Sequence, residues 1–431
     1  MPFSKAYREK LITAEEAVQK IASNDEIIVG DVASEPSALL GKLHIIRDRV
    51  QNVSVVMILP LGEYDFYTKP EMKGHFLLNS MFHSAGPRKA ERLGTVAYNP
   101  THLHNCITKR LTVKKPTAFF GQVAPMDKHG YFCLSLGLTY EKEALENADM
   151  VILEVNENLP RTGGDTHVHI RDVDFVVENT RPIPALPPVQ PTEKDKIIGR
   201  YIAGLVEDGS TIQLGIGGIS NAAALYLTGK KDLGVHTEML SDAIVDLVET
   251  GVVTGKRKTI WKDKIVAAFV FGSKKIYDFI DGNPAVELHR GSVVNDPYIV
   301  GQNYKMVSIN TTLEVDLAGQ CCSESIGVRQ YSGTGGAADT AVGAQRSPGG
   351  KSIVALYATA KNDTISAIVP VLSPGAAVTL SRNDVDYVVT EYGVAHLRGC
   401  NVSERAGRLI AIANPQFRET LREEAQKNGL L

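Results

Sequence analysis

The sequence is poor in the features that mark several functional classes. Its 431 residues hold only five cysteines, namely Cys106, Cys133, Cys321, Cys322 and Cys400. Their number is odd, two are adjacent and none stands in Cys-x-x-Cys spacing. Such usage argues against a disulfide framework and implies reduced thiols in a cytoplasmic protein. No uncharged apolar run approaches the ~20 residues of a membrane span, and Met1 to Lys10 contains no apolar signal-like core, so a soluble, unprocessed chain is expected. Charge of one sign is also missing. A formal net charge of −3 leaves no basic footprint for nucleic acid or an anionic membrane, so any anionic ligand must be held by local groups.

What is present is apolar content sufficient for large cores, 43% of residues. Single cores stop growing near ~250–300 residues, which predicts two domains. The run Arg181 to Gln190, ending at Pro191, is too proline-rich for a helix or a central strand and reads as the linker at 181–191. It separates a first domain at 1–180 from a second at 192–431. On both sides, strands alternate with helical segments, which argues for the α/β class with mostly parallel sheets.

In the first domain, Thr13 and Glu16 form a capping box for a helix reaching Ala22, followed by strands at Glu26 to Val29, Val53 to Leu59, Ala118 to Val123 and Met150 to Val155. Strand Glu26 to Val29 leads into the loop Gly30 to Pro36 and a helix from Ser37 to Leu43. The same order returns in the second domain, where strand Thr211 to Leu214 leads into Gly215-Ile216-Gly217-Gly218-Ile219 and a helix from Ser220 or Asn221. This echo suggests two related halves. A helix from Glu193 to Val206 with Thr192 as N-cap is also expected, with strands at Lys264 to Phe271, Met306 to Ile309, Ser352 to Tyr357, Ala376 to Leu380 and Tyr387 to Val389. Ser332 to Gly350 reads as a Gly/Ala-rich loop region, and helices are expected at Ser403 to Ala413 and Phe417 to Lys427.

Between Leu233 and Gly251 a short apolar strand is predicted to end at Glu238 and hand over to a helix. Ser241 suits the N-cap, Asp242 the positive first turn, and Gly251 the C-terminal stop. Glu238 then sits at a strand-to-helix junction, where open α/β sheets collect ligands.

Several other patterns invite chemistry without completing it. Gly215-x-Gly217-x-x-Ser220 lacks the third glycine of a dinucleotide fingerprint, which leaves a nicotinamide-dependent dehydrogenase as a distant alternative. Gly349-Gly350-Lys351-Ser352 resembles the end of a P-loop, but Gln345 replaces that motif's first glycine. His102-x-His104-x-Cys106 and Asp165-x-His167-x-His169 alternate as strand-borne ligands would. No second cluster at ligand spacing completes either set, so no metal is expected. The Cys321-Cys322 pair is read as small apolar side chains.

Separated motifs give the chain its clearest affinity. Gly-Ile-Gly-Gly-Ile at 215–219, His-Thr-Glu-Met at 236–239, Asn-Thr-Thr-Leu-Glu-Val-Asp at 310–316, Tyr-Ser-Gly-Thr-Gly-Gly at 331–336, Ala-Lys-Asn-Asp-Thr-Ile-Ser-Ala-Ile-Val-Pro at 360–370 and Val-Thr-Glu-Tyr-Gly-Val-Ala at 389–395 lie in the second half. Pro125 to Tyr131 and Glu154-Val155-Asn156 lie in the first. Together they resemble the acetyl-CoA hydrolase/transferase family, class I CoA-transferases that include 4-hydroxybutyrate and butyrate:acetate enzymes. The resemblance implies two related open α/β domains and assigns to Glu238 the role of covalent nucleophile, forming a glutamyl-CoA thioester. It places Gly215, Ile216, Gly217, Gly218, Ile219, Leu313, Gly336 and Lys361 against coenzyme A and Asn295 in the active site. Gly335-Gly336 is the candidate oxyanion site. Acyl-CoA and small carboxylates such as acetate are the implied partners, with coenzyme A a substrate rather than a resident cofactor, and a homodimer or homotetramer is expected. An acyl-CoA hydrolase using the same intermediate is the alternative. In Gly-Ala-Ala-Asp-Thr at 336–340 the chain departs from its relatives, which usually carry an aromatic after the aspartate.

Overall fold

Strand β1, Glu26–Val29, is buried at every position and begins a run of parallel strands. In the computed structural model, which describes residues 3–187 and 189–431, the chain forms two compact units. The first comprises Met1–Leu186 with Ala267–Val293, the second Pro187–Val266 with Val294–Leu431. Within the proline-rich segment, Pro188 lies outside the described residues, as do Met1 and Pro2 at the amino terminus.

In the first unit β1 is joined by β2 (Val53–Met57), β3 (Phe76–Ser80), β4 (Val96–Tyr98), β5 (Ala118–Val123), β6 (Met150–Val155) and β7 (Phe175–Glu178). They form one sheet in the order β7-β6-β5-β1-β2-β3-β4, and every neighbouring pair is parallel. Val/Ile/Phe-rich strands such as β5, buried throughout, are what a sheet covered on both faces requires. The Thr13–Glu16 capping box forms as expected, but its helix is only Ala14–Val18.

The second unit contains β8 (Thr211–Leu214), β9 (Gly234–Leu240), β10 (Met306–Thr311), β11 (Lys351–Ala355), β12 (Tyr387–Thr390) and β13 (Gly393–His396). Their order is β13-β12-β11-β10-β8-β9. All neighbouring pairs within this set are parallel except the closing β12–β13 hairpin. The order β12-β11-β10-β8-β9 repeats β7-β6-β5-β1-β2, so the two units share a winding. Both sheets are mostly parallel, as the α/β expectation requires.

Two helices brace the loop that follows β8. Helix Glu193–Leu205 opens with a capping box between Thr192 and Asp195 and packs on helix Gly218–Leu227. The contact is close at Gly199, where an added Cβ would lie 2.6 Å from the Ala222 carbonyl carbon. Helix Gly218–Leu227 begins two residues earlier than Ser220, with Gly217 as N-cap at φ +103°, a conformation suited to glycine.

Three further elements differ from the sequence expectations for identifiable reasons. Strand β9 runs past Glu238 to Leu240, because Met239 and Leu240 are themselves buried. The region read as a Gly/Ala-rich loop contains a ten-residue helix, Ala337–Arg346. Its alanines favour helix, and Gly343 is tolerated for close approach, since a Cβ there would lie 2.5 Å from the Val300 side chain. Ala376 to Leu380 forms no strand beyond an isolated bridge of Leu380 to Cys321. After the Pro374–Gly375 turn, Ala377 N–H bonds the Ser325 hydroxyl oxygen and Thr379 N–H the Cys321 carbonyl.

Candidate functional site

The carboxyl ends of β8, β9 and β10 lie along one edge of the second unit's sheet. The parallel pairs Thr211↔Gly234 and Ile212↔Val235, continued along the strands, bring Gly215 level with Glu238. Gly215 N–H bonds the Ile309 carbonyl of β10, and Leu313 follows two residues after that strand. The strand order reverses at β8, and this is the crevice in which an open α/β sheet binds ligands.

Glu238 is part-buried near the end of β9. Its Oε2 accepts a hydrogen bond of 2.8 Å from Nδ2 of Asn295, a fully buried side chain. The backbone amide of Gly336 faces the same carboxylate and favours its anionic form. Gly336 is the N-cap of helix Ala337–Arg346, so the carboxylate faces the positive end of a helix. A side chain at Gly336 is impossible without rearrangement, because a Cβ there would overlap Glu238 Oε2 and Asn295 Nδ2. Gly335, at φ +53°, makes the preceding turn.

Burial is the main influence on this carboxyl and pushes its pKa up to about 7; the Asn295 hydrogen bond lowers it, the Asp339 carboxylate raises it, and the Gly336 amide lowers it. Protein atoms crowd the group on most sides while part of the residue stays open to solvent. Such an environment keeps a carboxylate poorly solvated yet accessible to a ligand.

A polar network fixes the helix that presents Gly336. Thr340 Oγ1 donates to the Gly336 carbonyl at 3.1 Å, Ser308 Oγ donates to Thr340 Oγ1 at 2.9 Å, and Asn310 Nδ2 donates to Thr340 Oγ1 at 3.1 Å. Gln213 Oε1 on β8 accepts from Ile309 N–H at 3.0 Å and lies 3.2 Å from Ser308 Oγ. The network therefore ties the helix end to β8 and β10.

The remaining predicted residues line the approaches. Gly215 and Gly218 are part-buried and Ile219 is buried, whereas Ile216 is 50% exposed at the crest of the loop. Leu313 is 38% exposed, with its N–H on the Cys322 carbonyl. Lys361 is exposed in a turn whose residues Lys361, Asn362 and Asp363 all have left-handed φ, +49°, +56° and +64°. The Lys194 ammonium, 2.6 Å from Asp363 Oδ1, anchors that turn.

Other patterns fall elsewhere. Lys351 stands at the amino end of β11, bound to the Leu205 carbonyl and Glu207, away from the carboxyl edge. His167 and His169 flank the Tyr131 ring at 6.4 and 4.8 Å, and the His102 and His104 rings lie 6.1 Å apart. Among the described residues no group of three or more His, Cys, Asp or Glu is placed to hold a metal ion. Burial raises the Cys321 thiol pKa strongly. Among the described residues no helix is long and apolar enough to cross a membrane.

The motifs that contain Asp339, which acts on Glu238 through charge, and His236, two residues before Glu238, gave neither residue a role. Alternation along a strand, which puts residues i and i+2 on one face, was the signal for His236. Sequence reasoning likewise gave no role to Glu35 in the first unit, a buried carboxyl raised to about 7 by burial. Its oxygens accept from Leu61 N–H, Gly62 N–H and the Tyr64 hydroxyl, which makes it a loop clamp.

Comparison with known proteins extends over the whole chain. The model of the Acetyl-CoA hydrolase/transferase N-terminal domain matches residues 1–187, and that of the Acetyl-CoA hydrolase/transferase C-terminal domain matches residues 272–425. The 4-hydroxybutyrate coenzyme A transferase of Clostridium kluyveri is 44% identical over 431 residues, covering 99% of this chain and 100% of its own. The succinyl-CoA:cyclohexane-1-carboxylate CoA transferase of Geobacter metallireducens is 44% identical over 428 residues, covering 99% and 97%. Among solved structures, RipA from Yersinia pestis superposes with a TM-score of 0.93 at 37% identity, with 100% of both chains covered.

Proposed function

Because the chain belongs to the acetyl-CoA hydrolase/transferase family, we propose that it is a CoA-transferase that moves CoA between a short-chain acyl-CoA and a free carboxylate such as acetate. Glu238 is the nucleophile in this reading. The observation that carries it is the meeting of the Glu238 carboxylate, the Asn295 amide at 2.8 Å and the Gly336 N–H at one sheet edge.

A carboxylate is a weak nucleophile in water and becomes effective when held beside its target and partly desolvated. A Glu238 oxygen attacks the thioester carbonyl carbon, the C–S bond breaks, and an acyl-glutamyl anhydride and CoA thiolate result. The thiolate attacks the glutamyl carbonyl, the anhydride C–O bond breaks, and the first carboxylate leaves with the thioester now on Glu238. An incoming carboxylate runs the same steps in reverse and departs as acyl-CoA, so no proton or external reductant is consumed.

Once Glu238 is acylated, its remaining carbonyl oxygen faces the donors that met the carboxylate. Asn295 Nδ2 and Gly336 N–H then stabilise the negative charge that develops during attack at that carbon, each donor worth roughly 3–4 kcal/mol in such a role. The Gly215–Ile219 loop lets the pantetheine arm approach the backbone closely, and the first-turn amides of helix Gly218–Leu227 favour anionic groups. Leu313 offers an apolar contact and Lys361 a mobile positive charge to coenzyme A.

Hydrolysis would differ only in letting water resolve the thioester, and the names of the full-length relatives favour transfer. The test is CoA release and acyl-CoA formation from a panel of butyryl-, 4-hydroxybutyryl-, propionyl- and acetyl-CoA, with and without a carboxylate acceptor. Transfer predicts a new acyl-CoA and the first carboxylate only when the acceptor is present, without free CoA, and with parallel-line ping-pong kinetics. Continuous release of free CoA without any acceptor would establish hydrolysis instead.

A further inference from the structure

We infer that His236 is a positioning residue for the Glu238 centre, acting through the Val294 carbonyl to fix the backbone that carries Asn295. This inference rests on the proposed role of Glu238. His236 is 1% exposed, and its ring lies 5.7 Å from the Trp261 ring. Its Nε2 is 2.8 Å from the Val294 carbonyl oxygen. A carbonyl only accepts, so Nε2 carries the hydrogen.

The next residue along is Asn295, whose Nδ2 reaches Glu238. His236 and Glu238 occupy the same face of β9. One strand therefore holds both the carboxylate and, through the imidazole, the main chain of its hydrogen-bond donor. On the far side of Asn295, Asp296 caps helix Pro297–Val300 by accepting from Tyr298 N–H at 2.8 Å. That helix is seated against Gly343. The Asn295 backbone is thus flanked on one side by the Val294 carbonyl that the imidazole bonds and on the other by the Asp296 cap. The charged group facing Glu238 from the helix at 337–346 is Asp339; the imidazole bonds the Val294 carbonyl and lies beside the Trp261 indole.

The design parallels the orientation of a first ligand by an outer hydrogen-bond partner, whose loss typically costs 10–100-fold. His236→Gln keeps a terminal N–H near the position of Nε2, whereas His236→Asn is too short to reach the Val294 carbonyl. The expected result is near-normal kcat for His236→Gln and a kcat lowered roughly 10–100-fold for His236→Asn, with the KM for acyl-CoA changed less than threefold. The acid limb of kcat/KM moves to higher pH in His236→Asn alone, because Glu238 loses its donor. In an Asn295→Ala background, His236→Asn adds nothing further to that shift. Nitrogen-15 spectra of the unaltered enzyme supply a readout that requires no folded variant, with a hydrogen expected on Nε2. Equal profiles for the Gln and Asn variants, additive shifts in the double variant, or an unprotonated Nε2 would each overturn the inference. Mass spectrometry of the acyl-CoA-treated enzyme separates this from failure at Glu238. If no adduct forms there in the unaltered protein, the nucleophile assignment fails; if it forms and is indifferent to His236, the positioning role fails.

Discussion

At Glu238 two requirements pull against each other. Its nucleophilic form is the anion, yet desolvation, which makes that anion reactive, also favours the proton. Asn295 and Gly336 offset part of this cost, and the balance leaves the carboxyl at about 7 against an ordinary 4.5. A folded-state value above the unfolded one means that the native state binds the proton more tightly. Glu238 therefore imposes no penalty below about pH 4.5, and stability is lost as pH rises through about 7. Glu238→Gln cannot ionise and keeps an oxygen for Asn295. It should be more stable than the unaltered protein by roughly 1–3 kcal/mol at pH 8, with the gap closing towards pH 4.5. Thermal unfolding at both pH values measures this, and equal gaps would show that the carboxyl is not perturbed. The same residue illustrates what the sequence made legible. Glu238, Asn295 and Gly336 stood out through motifs, but the overlap that a Cβ at Gly336 would cause is invisible without coordinates, and so is the route from His236 to Asn295.

At the scale of elements, the helix at 337–346 governs the geometry because its first turn carries Gly336 and its interior meets helix Pro297–Val300. Gly343 makes that contact possible. Replacing a mid-helix glycine by alanine gains up to about 1 kcal/mol in propensity, whereas forcing a methyl group into a packed contact costs typically 1–3 kcal/mol. The Cβ would lie 2.5 Å from Val300, so the second effect should win. Gly343→Ala is expected to lose about 1 kcal/mol of stability by denaturant titration and to lower kcat by shifting Gly336 and Asn295; a gain in stability would show that the helices are loosely packed. This helix was also the least legible element. Its Gly/Ala richness matches a loop as well as a tightly packed helix, and only the neighbouring helix decides between them. Strands with long Val/Ile/Phe runs, such as β5 and β6, were read to the residue because both their faces are buried. By contrast, the β-rich composition of Ala376 to Leu380 was overridden by local hydrogen bonds to Ser325 and Cys321. Termini of elements shifted wherever burial continued past a motif, as at Met239 and Leu240.

For the whole molecule, the repeated winding places a sheet edge in each unit, but the second unit supplies the nucleophile and its donors. The faint echo between Glu26 to Pro36 and Thr211 to Ile219 becomes, in three dimensions, a shared order of five strands. The identity of the acyl group is not written in those strands, since sheet topology is indifferent to what binds at its edge. The central claim is that a thioester forms on Glu238 during turnover. Its most direct measurement is peptide mass spectrometry of the enzyme incubated with acyl-CoA and no acceptor, with and without borohydride reduction. The account predicts modification at Glu238, conversion of that side chain to an alcohol on reduction, and disappearance of the adduct when acetate is added first. An unmodified Glu238 in enzyme that turns over, or an adduct on another residue, would contradict it.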